Sequence, residues 1–306
     1  GRMTNLMKSR EALLAAAILI LIGLISTRFA GFVAPANLAN VFNDTAPLII
    51  LAVGQMIVIL TKCIDLSVAA NLALSGMVAA LLNGMGVPLP LILLIVLALG
   101  AVLGAVNGLL VWKVGIPSIV VTLGTMTIYR GIIFLMTDGA WVNAHQMSDE
   151  FKSLPRHVIL GLPVMGWVAV VVIGIFAVFL TRTPLGRSFY AVGGNPHAAV
   201  YTGLDVGRTQ AIAFVISGIL AALTGYLWVA RYAVAYVDIA GGFELDVVAA
   251  CVIGGIAIAG GAGTVGGAVL GALFLGVIKN ALPVVGISPF WQLAISGSAI
   301  IIAVAF

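Results

Sequence analysis

Apolar runs of about 17 to 25 residues return along the whole chain, and charged residues make up only 8% of it. A run of that length crosses roughly 30 Å of hydrocarbon as a helix, whereas a soluble domain carries charge on about a quarter of its residues. Lipid offers no partner for backbone polar groups, so spanning segments are helices or closed barrels. The alternation that marks barrel strands is absent. The chain is therefore expected to be an all-α polytopic membrane protein, one transmembrane domain over residues 1–306. Ten spans fit, at about 11–27, 46–61, 66–83, 89–112, 117–136, 163–181, 210–229, 245–259, 264–282 and 290–306. Leu13 to Ile25 has the apolarity of a signal peptide, but without a clear small-residue cleavage site it reads as a retained first helix.

An even number of spans puts both termini on one side, and the basic residues say which. One face collects Arg2, Lys8, Arg10, Lys62, Lys113, Arg182, Arg187 and Arg208 against Glu11, Asp65 and Asp205. The other carries most of the acidic residues. The first face is expected to be cytoplasmic, which places loop 182–209 inside and loop 137–162 outside, with both termini inside. The chain stops at Phe306 within an apolar run and without a basic tail, so a native continuation is expected.

Gly100-Ala-Val-Leu-Gly-Ala105 recurs letter for letter as Gly267-Ala-Val-Leu-Gly-Ala272, and each copy precedes a Lys four residues before a Pro: Lys113 and Pro117, Lys279 and Pro283. Earlier in each half an acid opens an apolar helix, in Ile64-Asp65-Leu66 and Leu245-Asp246-Val247. The copies run in opposite directions in the ten-span topology, the plan of inverted-repeat transporters. Coincidence among small apolar residues is the competing account.

Several chemistries lack their residues. Gly261-Ala-Gly-Thr-Val-Gly266 has dinucleotide-loop spacing but no strand before it and no βαβ unit around it. Gly100, Gly104 and Gly108, like Gly267 and Gly271, lie four apart on one helix face and instead predict close helix packing. No Gly-Lys-Ser/Thr phosphate loop exists, so ATP would have to be hydrolysed elsewhere. Cys63 and Cys251 lie in or beside apolar runs, with no disulfide framework or metal cluster indicated. His145, His157 and His197 all fall in loops and make no buried proton relay.

Polar residues inside spans are the candidates for a solute route: Gln55, Asp65, Asn71, Asn107, Thr122 and Thr125, with Tyr129. Amides and hydroxyls suit an uncharged polyhydroxy solute. Interhelical hydrogen bonding accounts for any one of them equally well, and Asp65 can simply cap the helix beginning at Leu66.

The loop 182–209 is the most polar island of the chain. Asn195 suits an N-cap, Pro196 the first helical position and Gly203 a left-handed stop, which predicts a helix of about two turns. Ala198 and Ala199 give it a smooth face for the groove of a partner, flanked by Arg187 and Arg208. A solvated loop with a helical turn is the plainer alternative.

Thr183-Pro-Leu-Gly-Arg-Ser-Phe-Tyr-Ala-Val-Gly-Gly-Asn-Pro-His-Ala-Ala199, Ile64-Asp-Leu-Ser-Val68, Pro117-Ser-Ile-Val-Val-Thr-Leu-Gly-Thr125 and Val252-Ile-Gly-Gly-Ile256 with Gly260-Gly-Ala-Gly-Thr-Val-Gly266 together resemble the permease subunit of bacterial ABC-type monosaccharide importers, the family of ribose, xylose, rhamnose and autoinducer-2 permeases. Lys62-Cys63, where the family often has two glycines, and Ala69, where Gly is common, depart from it. The resemblance implies alternating access without catalysis by this chain. It implies an ATPase with two nucleotide-binding modules that holds the ATP and magnesium, a periplasmic or extracellular solute-binding protein, and a second permease, copy or paralogue. No nucleic acid is implied, and the location is the bacterial inner membrane. Gly186, Arg187, Asn195, Pro196, Ala198, Ala199 and Gly203 match the loop that couples such permeases to the ATPase. Tyr129-Arg-Gly-Ile-Ile133 and Gly139-Ala-Trp-Val142 lean toward the rhamnose and autoinducer-2 branch. A branched-chain amino-acid permease, and a secondary transporter or channel, are the alternatives.

Overall fold

The computed structural model describes residues 2–305, apart from the side chains at positions 2–4, 6–8, 289, 292 and 304; Gly1 and Phe306, with the continuation expected there, lie outside the described residues. The elements are α1 (Arg2–Ser26), α2 (Pro35–Leu60), α3 (Val68–Gly84), α4 (Leu89–Leu109), α5 (Ser118–Thr137), α6 (Asp149–Ser153), α7 (Val164–Arg182), α8 (Pro184–Gly194), α9 (Pro196–Tyr201), α10 (Val206–Tyr232), α11 (Phe243–Ile253), α12 (Val265–Val284) and α13 (Pro289–Ala305). A π turn over Leu110–Val114 prolongs α4 and ends at Gly115. Two-residue strands at Val158–Ile159 and Leu162–Pro163 form the sheet seen among the described residues. The protein is an all-α polytopic membrane protein.

A helix stands at each of the ten expected spans, but they are not alike. Seven are long and apolar enough to cross a membrane, those built on α1, α2, α4, α5, α7, α10 and α12. The segment expected at 245–259 is shorter: α11 has 11 residues and stops at Gly254, about 17 Å of helix rather than 30. Gly255, Gly260 and Gly261 then turn with positive φ before α12 starts at its Thr264 cap. Apolarity continues through this break in Ile256-Ala-Ile-Ala259, of which Ile256 is buried while Ile258 and Ala259 are exposed. At the other extreme α2 begins at Pro35, not 46. Its first turns carry Asn37, Asn40, Asn43, Asp44 and Thr45 and so escape an apolar-run reading.

Two interlocked halves make the bundle. Helix α10 packs chiefly on α4 and α3 of the first half, while α2 reciprocates by packing on α12 and α11 of the second. Glycines permit the closest approaches. Gly100, Gly104 and Gly108 of α4 lie against Gly218, Phe214 and Ala211 of α10, where a Cβ would overlap the facing backbone. Gly267 and Gly271 of α12 lie in the same way against Gly254 and Ala250. From Ala46 to Leu60, α2 is enclosed on all sides, which is why it is apolar around its whole circumference. Exposed Leu19, Ile20, Leu94, Val102, Leu135 and Val178 give α1, α4, α5 and α7 their lipid-compatible surface.

Candidate functional site

The loop 182–209 folds as a chain of caps. Thr183 Oγ1 accepts from Gly186 N at 3.1 Å with Pro184 at the first helical position, and this starts α8. Asn195 closes α8 through its N–H to Ala191 O and opens α9 by accepting from Ala198 N at 3.0 Å. Gly203, at φ +88°, ends α9 in the left-handed region, and Leu204 N donates back to Ala199 O. Asp205 then caps α10 by accepting from Arg208 N. The expected helix is present as α9; α8, built from the same Thr-Pro opening that Asn195-Pro196 repeats, is an addition that only the Thr183-Pro184 pair could have signalled.

Exposure sorts the residues of this elbow. Arg187, Asn195, Ala198 and Gly203 are exposed and Pro196 half-buried, whereas Gly186 is packed on α7 and Ala199 is turned into the protein. Ala198 and Ala199 therefore do not share an outward face. The outward apolar groups of α9 are Val200 and, at 92% exposure, Tyr201, which the sequence reading passed over.

Beneath the elbow the two breaks in the bundle meet. The Leu60 carbonyl at the end of α2 accepts from Gly261 N at 2.9 Å, which ties the 61–67 turn to the 254–264 turn. Gly193 of α8 is pressed on that bond so closely that a Cβ there would overlap Leu60 O. The Tyr190 hydroxyl donates to Gly263 O at 2.7 Å, and Gln210 Nε2 donates to Thr61 O at 2.9 Å. Burial pushes the Tyr190 phenol up to about 12, so it stays a donor. Lys62, one of the family departures, holds φ 69°, a left-handed value that glycine adopts without strain and that accounts for a glycine at the first of these two positions. From α1, Arg10 Nε donates to Ile253 O and Glu11 accepts from Thr264 Oγ1.

Five of the six route candidates come together in one buried network. Gln55 brackets the Asp65 backbone, donating to its carbonyl at 2.7 Å and accepting from its N–H at 3.0 Å. Asp65 Oδ1 accepts from Ser67 N and Oγ, and its Oδ2 from Ser217 of α10 at 3.1 Å. Asn107 donates to Ser67 Oγ at 2.9 Å and accepts from Thr125 at 2.6 Å, while the Thr122 hydroxyl, which donates to Ser118 O at 2.8 Å, lies 3.3 Å from Ile64 O. Asn71 stands apart and accepts from Ser75. All six are at most 3% exposed, and no buried side-chain polar atom among the described residues lacks a partner. The network holds the 61–67 turn between α2, α4, α5 and α10. Tyr129 donates to Leu103 O at 2.6 Å and fastens α5 to α4.

The side opposite α8 and α9 is cross-tied as well. Arg130 of α5 donates to the Val237 and Ile239 carbonyls of the 233–242 loop, Trp141 stacks on Tyr236 at 4.4 Å, and Arg231 pairs with Asp44. Lys279 of α12 pairs with Asp246 of α11 at 2.6 Å. No cluster of three or more metal-ligating side chains occurs among the described residues.

Comparison with known proteins agrees with this architecture. The family model described as branched-chain amino acid transport system / permease component matches residues 37–304. The autoinducer 2 import system permease protein LsrC of Enterobacter sp. (strain 638) is 39% identical over 295 residues, covering 96% of this chain and 85% of that one. The ribose import permease protein RbsC of Haemophilus influenzae is 36% identical over 290 residues, and that of Escherichia coli K12 is 38% identical over 290; each alignment covers 94% of this chain and 90% of the relative. No solved structure matches the chain. With nearly its whole length matched, the chain belongs to this family of bacterial transport-system permeases, as a multi-pass protein of the inner membrane.

Proposed function

We propose that the chain is the permease subunit of an ATP-driven ABC importer for a monosaccharide or sugar-like solute, which it moves by alternating access while a separate subunit hydrolyses ATP. The observation that carries this reading is the seat of the α8–α9 elbow on the Leu60–Gly261 junction. The end of α8 is pressed on the breaks of both halves and continues through Asn195 into α9, so in this reading a push on the exposed side of α9 is passed to both. An ATPase with two nucleotide-binding modules holds ATP and magnesium and meets α9 at Ala198, Val200 and Tyr201, with Arg187 beside them. A solute-binding protein delivers from the opposite side, and a second permease, identical or paralogous, completes the channel. This chain binds no cofactor and performs no catalysis.

Gln55, Asp65, Asn107, Thr122 and Thr125, with Asn71 on the adjoining α3, border the solute route in this reading. Relatives named for ribose and for autoinducer 2 support a sugar-like solute, and the Tyr129–Ile133 and Gly139–Val142 stretches incline the choice toward rhamnose or autoinducer 2. The matched family's own description keeps a branched-chain amino acid as the second reading.

The deciding experiment reconstitutes the permease with its ATPase and binding protein in proteoliposomes and offers radiolabelled ribose, rhamnose, autoinducer 2 and leucine. ATP-dependent accumulation of one of the first three is expected. Accumulation of leucine alone establishes the second reading, and accumulation without the ATPase overturns both.

A further inference from the structure

Asp65 stands just before α3 and Asp246 in the first turn of α11, each ahead of the helix that carries one copy of the Gly-Ala-Val-Leu-Gly-Ala echo. Their surroundings differ. Asp65 has both oxygens occupied by hydroxyl and amide donors and is sealed from solvent. Asp246 keeps 31% of its side chain exposed, its Oδ2 receives Lys279, and no hydrogen bond falls on its Oδ1 among the described residues. Lys279 is 38% exposed and spends one of its three N–H donors on that bond.

Lys279 lies five residues before the end of α12 at Val284, about 7 Å inside a helix that just spans the hydrocarbon. A charged pair facing lipid at that depth is costly, so this face of α11 and α12 meets water or polar matter. Its end of α12 is the one away from the α8–α9 elbow. Phe243 adds an aromatic surface there: Lys279 Nζ stands 5.8 Å from its ring centre, and the ring is held edge-on by Trp228 at 5.3 Å.

We propose that Asp246, Lys279 and Phe243 form a contact point for a neutral, hydroxylated solute on the side of the permease opposite the elbow. The chemistry matches a sugar in three respects. Hydroxyls both donate and accept, as the free carboxylate oxygen and the spare ammonium protons require. The C–H face of a sugar ring packs on an aromatic ring. The ion pair is already neutral in sum, so it offers no net attraction to a solute anion or cation, and a zwitterion would have to break it. The inference rests on the sugar-importer reading above.

The test uses the complete importer in proteoliposomes, with radiolabelled ribose and autoinducer 2 as the probes, and reads solute imported per ATP hydrolysed. Lys279→Gln, Asp246→Asn and Phe243→Leu are each expected to lower that ratio about tenfold with ATP hydrolysis still stimulated by the loaded binding protein. The exchanged pair, Asp246→Lys with Lys279→Asp, is expected not to restore it. Restoration by the exchange would show a clamp between α11 and α12 and overturn the proposal, as would wild-type ratios in Lys279→Gln and Phe243→Leu. If the charge variants fail to assemble, Phe243→Leu, which leaves the ion pair in place, decides the matter alone. A wild-type complex that imports leucine and neither probe defeats the sugar reading itself, and the contact point falls with it.

Discussion

The Tyr190 hydroxyl reaches 2.7 Å across to the Gly263 carbonyl, fastening α8 to the turn between α11 and α12. Removing it in Tyr190→Phe leaves the ring in place and strands one carbonyl, at a cost of about 0.5–1.5 kcal/mol. Membrane insertion is expected to survive while ATP-driven uptake falls several-fold. Unchanged uptake would show that the α8 contact carries no coupling. A pH comparison isolates the same bond. The folded-state value of Tyr190 is raised from 10.0 to about 12, so its contribution is complete below pH 10 and is lost as pH climbs toward 12. Wild-type protein in detergent should lose melting temperature over that window relative to Tyr190→Phe.

The exposed side of α9 gives a second expectation. Ala198→Glu places a charge on the exposed face of α9 proposed to meet the ATPase, and Tyr201→Ala removes its largest apolar group. Both should weaken co-purification of the ATPase and lower uptake at least tenfold, with the permease still in the membrane. Gly203→Pro should do the same, because Pro cannot adopt the left-handed φ that ends α9. Normal uptake by Ala198→Glu and Tyr201→Ala together would remove α9 from the coupling surface.

Close packing between the halves predicts an asymmetry among glycines. Gly104→Leu forces α4 away from Phe214 and Val215 of α10 and should destabilise the solubilised protein by about 1–3 kcal/mol, read as a lower melting temperature. Gly124→Ala on α5, where a Cβ meets open space, should leave the melting temperature unchanged or slightly raised.

Asn107 is the link between Ser67 and Thr125, so Asn107→Ala takes the 2.6 Å acceptor from the Thr125 hydroxyl, leaving it the Thr122 carbonyl at 3.3 Å, and removes a donor from Ser67. A loss of about 1–3 kcal/mol is expected, together with slower uptake by an assembled complex. Thr122→Ala, which removes a hydroxyl bonded at 2.8 Å to Ser118 O of its own helix and 3.3 Å from Ile64 O, should have the smaller effect in both assays.

How much of this was legible beforehand depends on whether the signal was local. Ten helices could be placed because apolar length is written in contiguous residues, and α9 because Asn195, Pro196 and Gly203 are caps that act within a few positions. The early stop of α11 was not legible: Ile256 and Ile258 keep the run apolar, and hydropathy reports what surrounds a segment, not its backbone. Polar residues inside spans were visible one by one. Their mutual bonding was not, since Asp65 and Ser217 are 152 positions apart and meet only through the packing of α10 on the first half. Ala199 was misread as outward because helix periodicity ranks faces but does not say which one the rest of the chain will cover.

The reciprocal packing of α2 on the second half and α10 on the first bears on how the protein is made. The glycine seam of α4 is complete by Leu109, but the helix that covers it begins at Val206, roughly a hundred residues later in synthesis. At about 5–20 residues per second, the first four helices wait on the order of 5–20 s in the bilayer with their mating surfaces open. During that interval they are candidates for insertion chaperones or for mispairing, and a ribosome stalled before Val206 should release a protein that membrane proteases clear quickly.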